Sequence, residues 1–170
     1  VRLLTRCGVD TGFTHQRDGF HDGIRAGCEL RADGWESAET WAKLPRVVKS
    51  PFLSCHLSAV PVPIDAVIIP VRNIADATES RQRAGLGLPG VDPAALEAKL
   101  AEWLGRAVAD CVTQEIPYKL VSFETLTEQP SSLFRVLRCV LPELCSWGEF
   151  SAEFTALADE SRGLRDAAAG

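Results

Sequence analysis

Three short apolar runs rich in β-branched residues mark the chain: Arg46 to Lys49, Ala66 to Val71 and Lys119 to Phe123. Each is followed by sequence of helical character, and each reads as a strand. The near-continuous apolarity of Ala66-Val67-Ile68-Ile69 suits a parallel strand covered on both faces better than an alternating strand with one wet face. The resulting βαβα order predicts an α/β fold, with helices packed on a parallel sheet.

A helix is predicted from Ile74 to Ala84, followed by a glycine-rich break through Gly85, Gly87, Pro89 and Gly90. The next helix has a well-marked start, with Asp92 at the N-cap and Pro93 at the first helical position, where the missing N–H costs nothing. Leu96, Leu100, Trp103, Leu104, Ala107 and Val108 recur at helical spacing and form its core-facing stripe. Pro130 opens a further helix with Leu133, Val136, Leu137 and Val140 on its apolar face, and Pro142 ends it. From Ser151 onward a weaker stripe through Phe154, Leu157 and Ala158 predicts a terminal helix over 151–170 that frays at its alanine-rich end. At the other end, Val1, Leu3 and Leu4 read as the last turns of a helix, with Gly8 as its C-terminal glycine.

Composition narrows the class. The chain has 170 residues, 46% hydrophobic and 24% charged, which suits one globular domain over 1–170 with a core of its own. No run approaches the roughly 18 consecutive apolar residues of a membrane helix, and no signal peptide opens the chain, so a cytoplasmic protein is expected. A net charge of −5 without a basic tract argues against nucleic acid, sulfated polysaccharide or an anionic membrane as partner, yet leaves room for a local anion pocket. The six cysteines form no Cys-x-x-Cys pair and are expected to be reduced and mostly buried. The absence of methionine and the 14 Arg against 4 Lys point to a GC-rich coding sequence, in which Val1 reads as a GTG start or a truncation point.

The chemistry concentrates where the second run ends. Pro70-Val71-Arg72-Asn73 leads straight into a helix carrying Asp76, Glu79, Ser80 and Arg81. Open α/β sheets bind ligands at the carboxyl ends of their strands, and free N–H groups at a helix start favour anions there. Arg72 offers a planar fork to phosphate oxygens, and Ser80, about two turns along, offers a hydroxyl. The competing reading makes Arg72 an ordinary helix-entry arginine and Ser80 a solvated surface serine.

The stretch from Asp65 to Arg81 resembles the 3′-phosphate motif of the sulfotransferase family, in which a strand-end arginine is followed eight residues later by serine. Two further segments share the resemblance: Leu44 to Pro51, similar to a preceding strand ending in Lys-Ser-Pro, and Tyr118 to Leu126 with Gln129-Pro130, similar to a later strand followed by a proline-started helix. Val1 to Gly12 also resembles the helix end and Leu-Gly-Val-Asp-x-Gly segment that follows the family's P-loop. The resemblance implies a three-layer P-loop-type fold, a parallel sheet flanked by helices, and the cosubstrate 3′-phosphoadenosine 5′-phosphosulfate (PAPS). It assigns Arg72 and Ser80 to the 3′-phosphate. The family's Arg-Ser-Gly-Thr type loop for the 5′-phosphosulfate does not occur in these residues, nor does a Gly-x-x-x-x-Gly-Lys-Ser/Thr loop. The first strand, its loop and most of the first helix are therefore expected upstream of Val1.

Sulfuryl transfer builds negative charge on the leaving phosphate oxygen, and the resemblance makes Lys49 the cation that stabilises it. Its plain alternative is a surface lysine closing a strand. Where many family members have a histidine two residues after the lysine, this chain has Pro51; His56, in a short helix predicted from Ser54 to Val60, is the nearest candidate for the general base. A half-buried structural histidine is the competing reading. Glu124 is a weaker base candidate, with helix capping as its alternative. His15, His21 and Cys28, interleaved with Asp18 and Asp22, match no established zinc spacing and read as an acceptor-side loop, and sulfuryl transfer needs no metal. Trp35, Trp41, Trp103 and Trp147 read first as packing residues. The implied partner is a small-molecule acceptor with a hydroxyl or amine. The alternatives are a catalytically silent sulfotransferase-like module and a small-molecule kinase.

Overall fold

The computed structural model describes residues 1–11, 35–83 and 92–169. In chain order the elements are α1 (Arg2–Arg6), α2 (Ala38–Trp41), two 3-10 turns (Phe52–Cys55 and Leu57–Ala59), β1 (Val67–Val71), α3 (Ile74–Arg83), α4 (Pro93–Thr113), β2 (Tyr118–Ser122), α5 (Phe123–Glu128), α6 (Pro130–Val140) and α7 (Trp147–Ala169). The fold is thus mixed α/β and largely helical, with a two-stranded sheet among the described residues. The chain divides into two compact units: Pro51–Phe123, and Val1–Ser50 together with Glu124–Gly170.

The unit Pro51–Phe123 holds the sheet. β1 and β2 pair in parallel from Val67 opposite Tyr118 to Val71 opposite Ser122, and α3 and α4 form the crossover. Helix α4 begins at Pro93 with Asp92 at the N-cap, as the sequence predicts, although the Asp92 side chain makes no capping hydrogen bond. Leu96, Ala107 and Cys111 are buried on its inner face, which packs on α3 and on the two 3-10 turns through buried Leu53 and Leu57. Burying a leucine as fully as Leu96 contributes about 2–3 kcal/mol. The helix stops at a Schellman arrangement: the N–H of Ile116 donates to the carbonyl of Cys111 and that of Glu115 to Val112, with Glu115 at φ 56.

In the other unit, α1 ends in the same way but with the favoured residue. Gly8 sits at φ 80, its N–H donates to the Thr5 carbonyl, and the Val9 N–H donates to Leu4. Arg2 reaches Glu160 at 3.1 Å, and Arg6 reaches both Glu160 at 2.7 Å and Glu153 at 3.5 Å, so α1 is pinned along α7. Glu153 and Glu160 are two turns apart and share a face of α7. Inside, Phe150 is fully buried and meets Phe134 of α6 edge-on at 5.1 Å, while Trp147 meets Phe134 at 5.4 Å.

Three sequence expectations are corrected. Arg46 to Lys49 is not a strand; only an isolated bridge at Lys49 remains. The Val47 N–H donates to the carbonyl of Asp10 at 3.0 Å, so the backbone pairs with the loop after α1, and Pro45 and Pro51 remove N–H donors on either side. The terminal helix starts at Trp147 rather than Ser151, because Ser146 and Glu149 form a reciprocal capping box: the Ser146 N–H and hydroxyl donate to the Glu149 carboxylate at 2.9 and 2.7 Å, and the Glu149 N–H donates to Ser146 Oγ at 3.3 Å. The third strand lies one residue earlier than expected, which places Phe123 at the head of α5. No helix among the described residues is long and apolar enough to cross a membrane. The glycine-rich break from Gly85 to Gly90 lies outside the described residues.

Candidate functional site

The β1–α3 junction is where the sequence places its principal candidates, and its geometry follows from the strand register. Val71 and Ser122 are the last paired residues, so Arg72 and Phe123 leave the carboxyl ends of adjacent strands side by side. The Arg72 guanidinium lies over the Phe123 ring, 4.8 Å from its centroid. Stacking of this kind at an exposed site is worth about 0.5–1 kcal/mol and leaves the edge donors of the guanidinium open. Arg72 is exposed, and among the described residues no carboxylate pairs with it.

Asn73 is a residue whose role the sequence reading missed. Its Oδ1 accepts from the N–H groups of Ala75 at 2.9 Å and Asp76 at 3.3 Å, making Asn73 the side-chain cap of α3. Two amides expected to face an anion are therefore already engaged. Asparagine directly after a strand end and before an apolar-periodic helix was the signal available. An anion placed at this junction would therefore depend mainly on side chains, and Asp76 in the first turn would oppose it with a negative charge.

Along α3, Ile74, Ala77, Thr78 and Arg81 turn inward at helical spacing. Arg81 packs α3 to α4 by lying over the Trp103 ring at 5.9 Å. Ser80 is half-buried beside this face, and its hydroxyl makes no hydrogen bond among the described residues. From Ile74 to Ser80 the helix rises about 9 Å, a span that an arginine side chain and a nucleotide phosphate together can bridge. Thr78, 2% exposed, has a buried Oγ1 without a hydrogen-bond partner among the described residues, a feature no sequence pattern announced.

His56 stands between the two 3-10 turns, half-buried; its N–H donates to Leu53 and its carbonyl accepts from Ala59, both at 3.0 Å. The following Ser58 N–H donates to Asp110 of α4 at 3.2 Å. The Ser58 bond ties the His56 segment to α4.

Lys49 belongs to the other unit. Next to Lys49, the Oγ of Ser50 is buried without a hydrogen-bond partner among the described residues. Glu124 lies in the first turn of α5, where its carboxylate accepts from Gln129 Nε2 at 2.8 Å rather than capping a helix end. Among the described residues no cluster of three or more His, Cys, Asp or Glu side chains could hold a metal ion, and His15, His21 and Cys28 lie outside them.

Comparison with protein-family models, with curated proteins and with solved structures finds no match to this chain.

Proposed function

We propose that this chain is a sulfotransferase-like protein of the P-loop-type, three-layer α/β class, one that binds PAPS and passes its sulfuryl group to a hydroxyl or amine of a small-molecule acceptor. The observation that carries this reading is the β1–α3 junction. Arg72 lies at the carboxyl end of a parallel strand, exposed and uncancelled by any carboxylate among the described residues, and Ser80 follows on the same continuous strand–helix segment with its hydroxyl unengaged there. A phosphate monoester matches that pair: a guanidinium fork takes two oxygens and a hydroxyl donates to a third.

The bound donor would supply the activated sulfuryl group. Arg72 and Ser80 would hold its 3′-phosphate and so fix the nucleotide. Lys49 is the candidate for stabilising charge on the leaving oxygen, and His56 the candidate for taking the acceptor proton; both assignments come from the family resemblance. The capping of α3 by Asn73 favours a second reading, a silent module that binds nucleotide without transferring sulfate, because it removes two donors from the anion site.

Competition between 3′,5′-bisphosphoadenosine and ATP, followed by sulfate transfer from labelled PAPS to a panel of hydroxylated acceptors, separates these readings. Bisphosphoadenosine binding with transfer supports the enzyme, and binding without transfer supports the silent module. Tight ATP binding that is indifferent to Arg72→Ala would replace both with a kinase.

A further inference from the structure

Only Arg72 and Asn73 join the last residue of β1, Val71, to the first residue of α3, Ile74. Asn73 holds that short link at three points. Its Oδ1 accepts from the N–H groups of Ala75 and Asp76 at 2.9 and 3.3 Å, and its own carbonyl accepts from the N–H of Ala77 at 3.0 Å. On the other side of Arg72, Val71 is fixed by its pairing with Ser122. Arg72 is therefore exposed, yet bracketed along its backbone between a paired strand end and a capped helix start. Ser80 follows Asn73 by two turns of helix, so it stands on the face that Asn73 begins, about 10 Å along the axis.

We propose that Asn73 is the positioning residue of the 3′-phosphate site: its cap fixes the turn that sets Arg72 against Ser80, and its neutral amide does so without placing a carboxylate beside the arginine. This inference rests on the nucleotide-binding reading above, which the enzyme and the silent module share. Asn73 acts through the two side chains on either side of it and need not touch the phosphate. Without the cap, the first-turn N–H groups are left to water and the helix start is free to shift relative to the strand, so the two donors lose their common target.

The choice of residue carries the second half of the proposal. Asparagine, aspartate, serine and threonine all cap helices well, but only aspartate brings a charge. A carboxylate at position 73 would adjoin Arg72 in the chain, pair with a guanidinium that no carboxylate among the described residues engages, and repel an incoming phosphate. Asp76 already supplies the first-turn acid that the helix dipole favours, so a neutral cap serves the helix without adding to the charge against the anion.

The test titrates 3′,5′-bisphosphoadenosine and adenosine 5′-phosphate by calorimetry into the full chain, as wild type, Asn73→Ala, Asn73→Ser and Asn73→Asp, at a temperature where melts show each protein folded. Asn73→Ala should lower the preference for the bisphosphate about 3- to 10-fold and the melting temperature by about 2–4 °C. Asn73→Ser restores a capping oxygen and should return the preference to within about 2-fold of wild type. Asn73→Asp should melt like wild type while its preference falls roughly 10-fold, a split between stability and affinity that a merely structural cap would not produce. A wild-type preference that is retained in either Asn73→Ala or Asn73→Asp would overturn this inference and leave the nucleotide-binding reading standing, whereas no preference in wild type would overturn both. Because Asn73→Asp keeps its cap, a poorly folding Asn73→Ala does not decide the result.

Discussion

The Arg72 guanidinium rests on the ring of Phe123, 4.8 Å from its centroid, because the two residues directly follow the last paired positions of adjacent parallel strands. Phe123 is 45% exposed, more than packing alone would favour for phenylalanine, and its ring serves as a platform that holds the arginine fork in place. Phe123→Leu keeps the bulk and removes the π face. It should weaken 3′,5′-bisphosphoadenosine binding about 2- to 5-fold, the equivalent of 0.5–1 kcal/mol of stacking, with an unchanged circular dichroism spectrum. Full retention of affinity would mean that the ring does not orient Arg72.

Two helix ends with the same hydrogen bonds but different residues give a matched pair of stability predictions. Gly8 occupies the left-handed region with open space around its Cβ position, so Gly8→Ala should cost about 1 kcal/mol through backbone conformation alone. Glu115 occupies the same region with a side chain, and Glu115→Gly should gain up to about 1 kcal/mol. Thermal melts should move down and up respectively by about 2–4 °C.

The capping box of α7 titrates. Hydrogen bonds from the Ser146 hydroxyl and N–H hold the Glu149 carboxyl below its ordinary value of 4.5. A folded-state pKa that is depressed stabilises the protein above the ordinary value and ceases to do so as pH falls through the lowered one. Melting temperature followed into acid should therefore drop more for wild type than for Glu149→Gln. Parallel curves would show that the box contributes nothing.

At the alkaline end the sign reverses. The Cys7 thiol is raised from 9.0 to about 12, so its contribution is complete below about pH 9 and is lost as pH climbs toward 12. Urea midpoints in the presence of reductant should fall more steeply across that window for wild type than for Cys7→Ala. An identical slope in the two proteins would indicate that Cys7 ionises equally well in folded and unfolded chains.

Several elements were legible in the sequence because local and longer-range forces agree there. β1 is one: its β-branched run from Val67 to Ile69 forms the expected parallel strand, although none of its residues is fully buried, short of the cover on both faces that its apolarity suggested. The Asp92-Pro93 start of α4 and the Pro130 start of α6 are others, as is Gly8. Arg46 to Lys49 misled because apolarity alone cannot reveal that the Val47 N–H will find the Asp10 carbonyl, 37 positions away in the chain. The start of α7 was hidden by its weak stripe, although the Ser146-to-Glu149 spacing announced it. At the candidate site, the places of Arg72 after a strand end and of Ser80 on the following helix could be read from the sequence, while their assignment to a phosphate came from the family resemblance alone. The stacking of Arg72 on Phe123 could not, since it depends on strand register, and the Asn73 cap shows in the sequence only as an asparagine between a strand end and a helix.

The central claim is that Arg72 recognises a 3′-phosphate, and it is tested by what that phosphate adds to affinity. Calorimetry should compare 3′,5′-bisphosphoadenosine with adenosine 5′-phosphate, each against wild type and Arg72→Ala. A charge-assisted bond of the expected strength makes wild type prefer the bisphosphate by about 10- to 100-fold, and Arg72→Ala should erase that preference while leaving the weaker adenosine 5′-phosphate affinity unchanged. Equal affinity of wild type for the two nucleotides, or a preference that survives in Arg72→Ala, would contradict it.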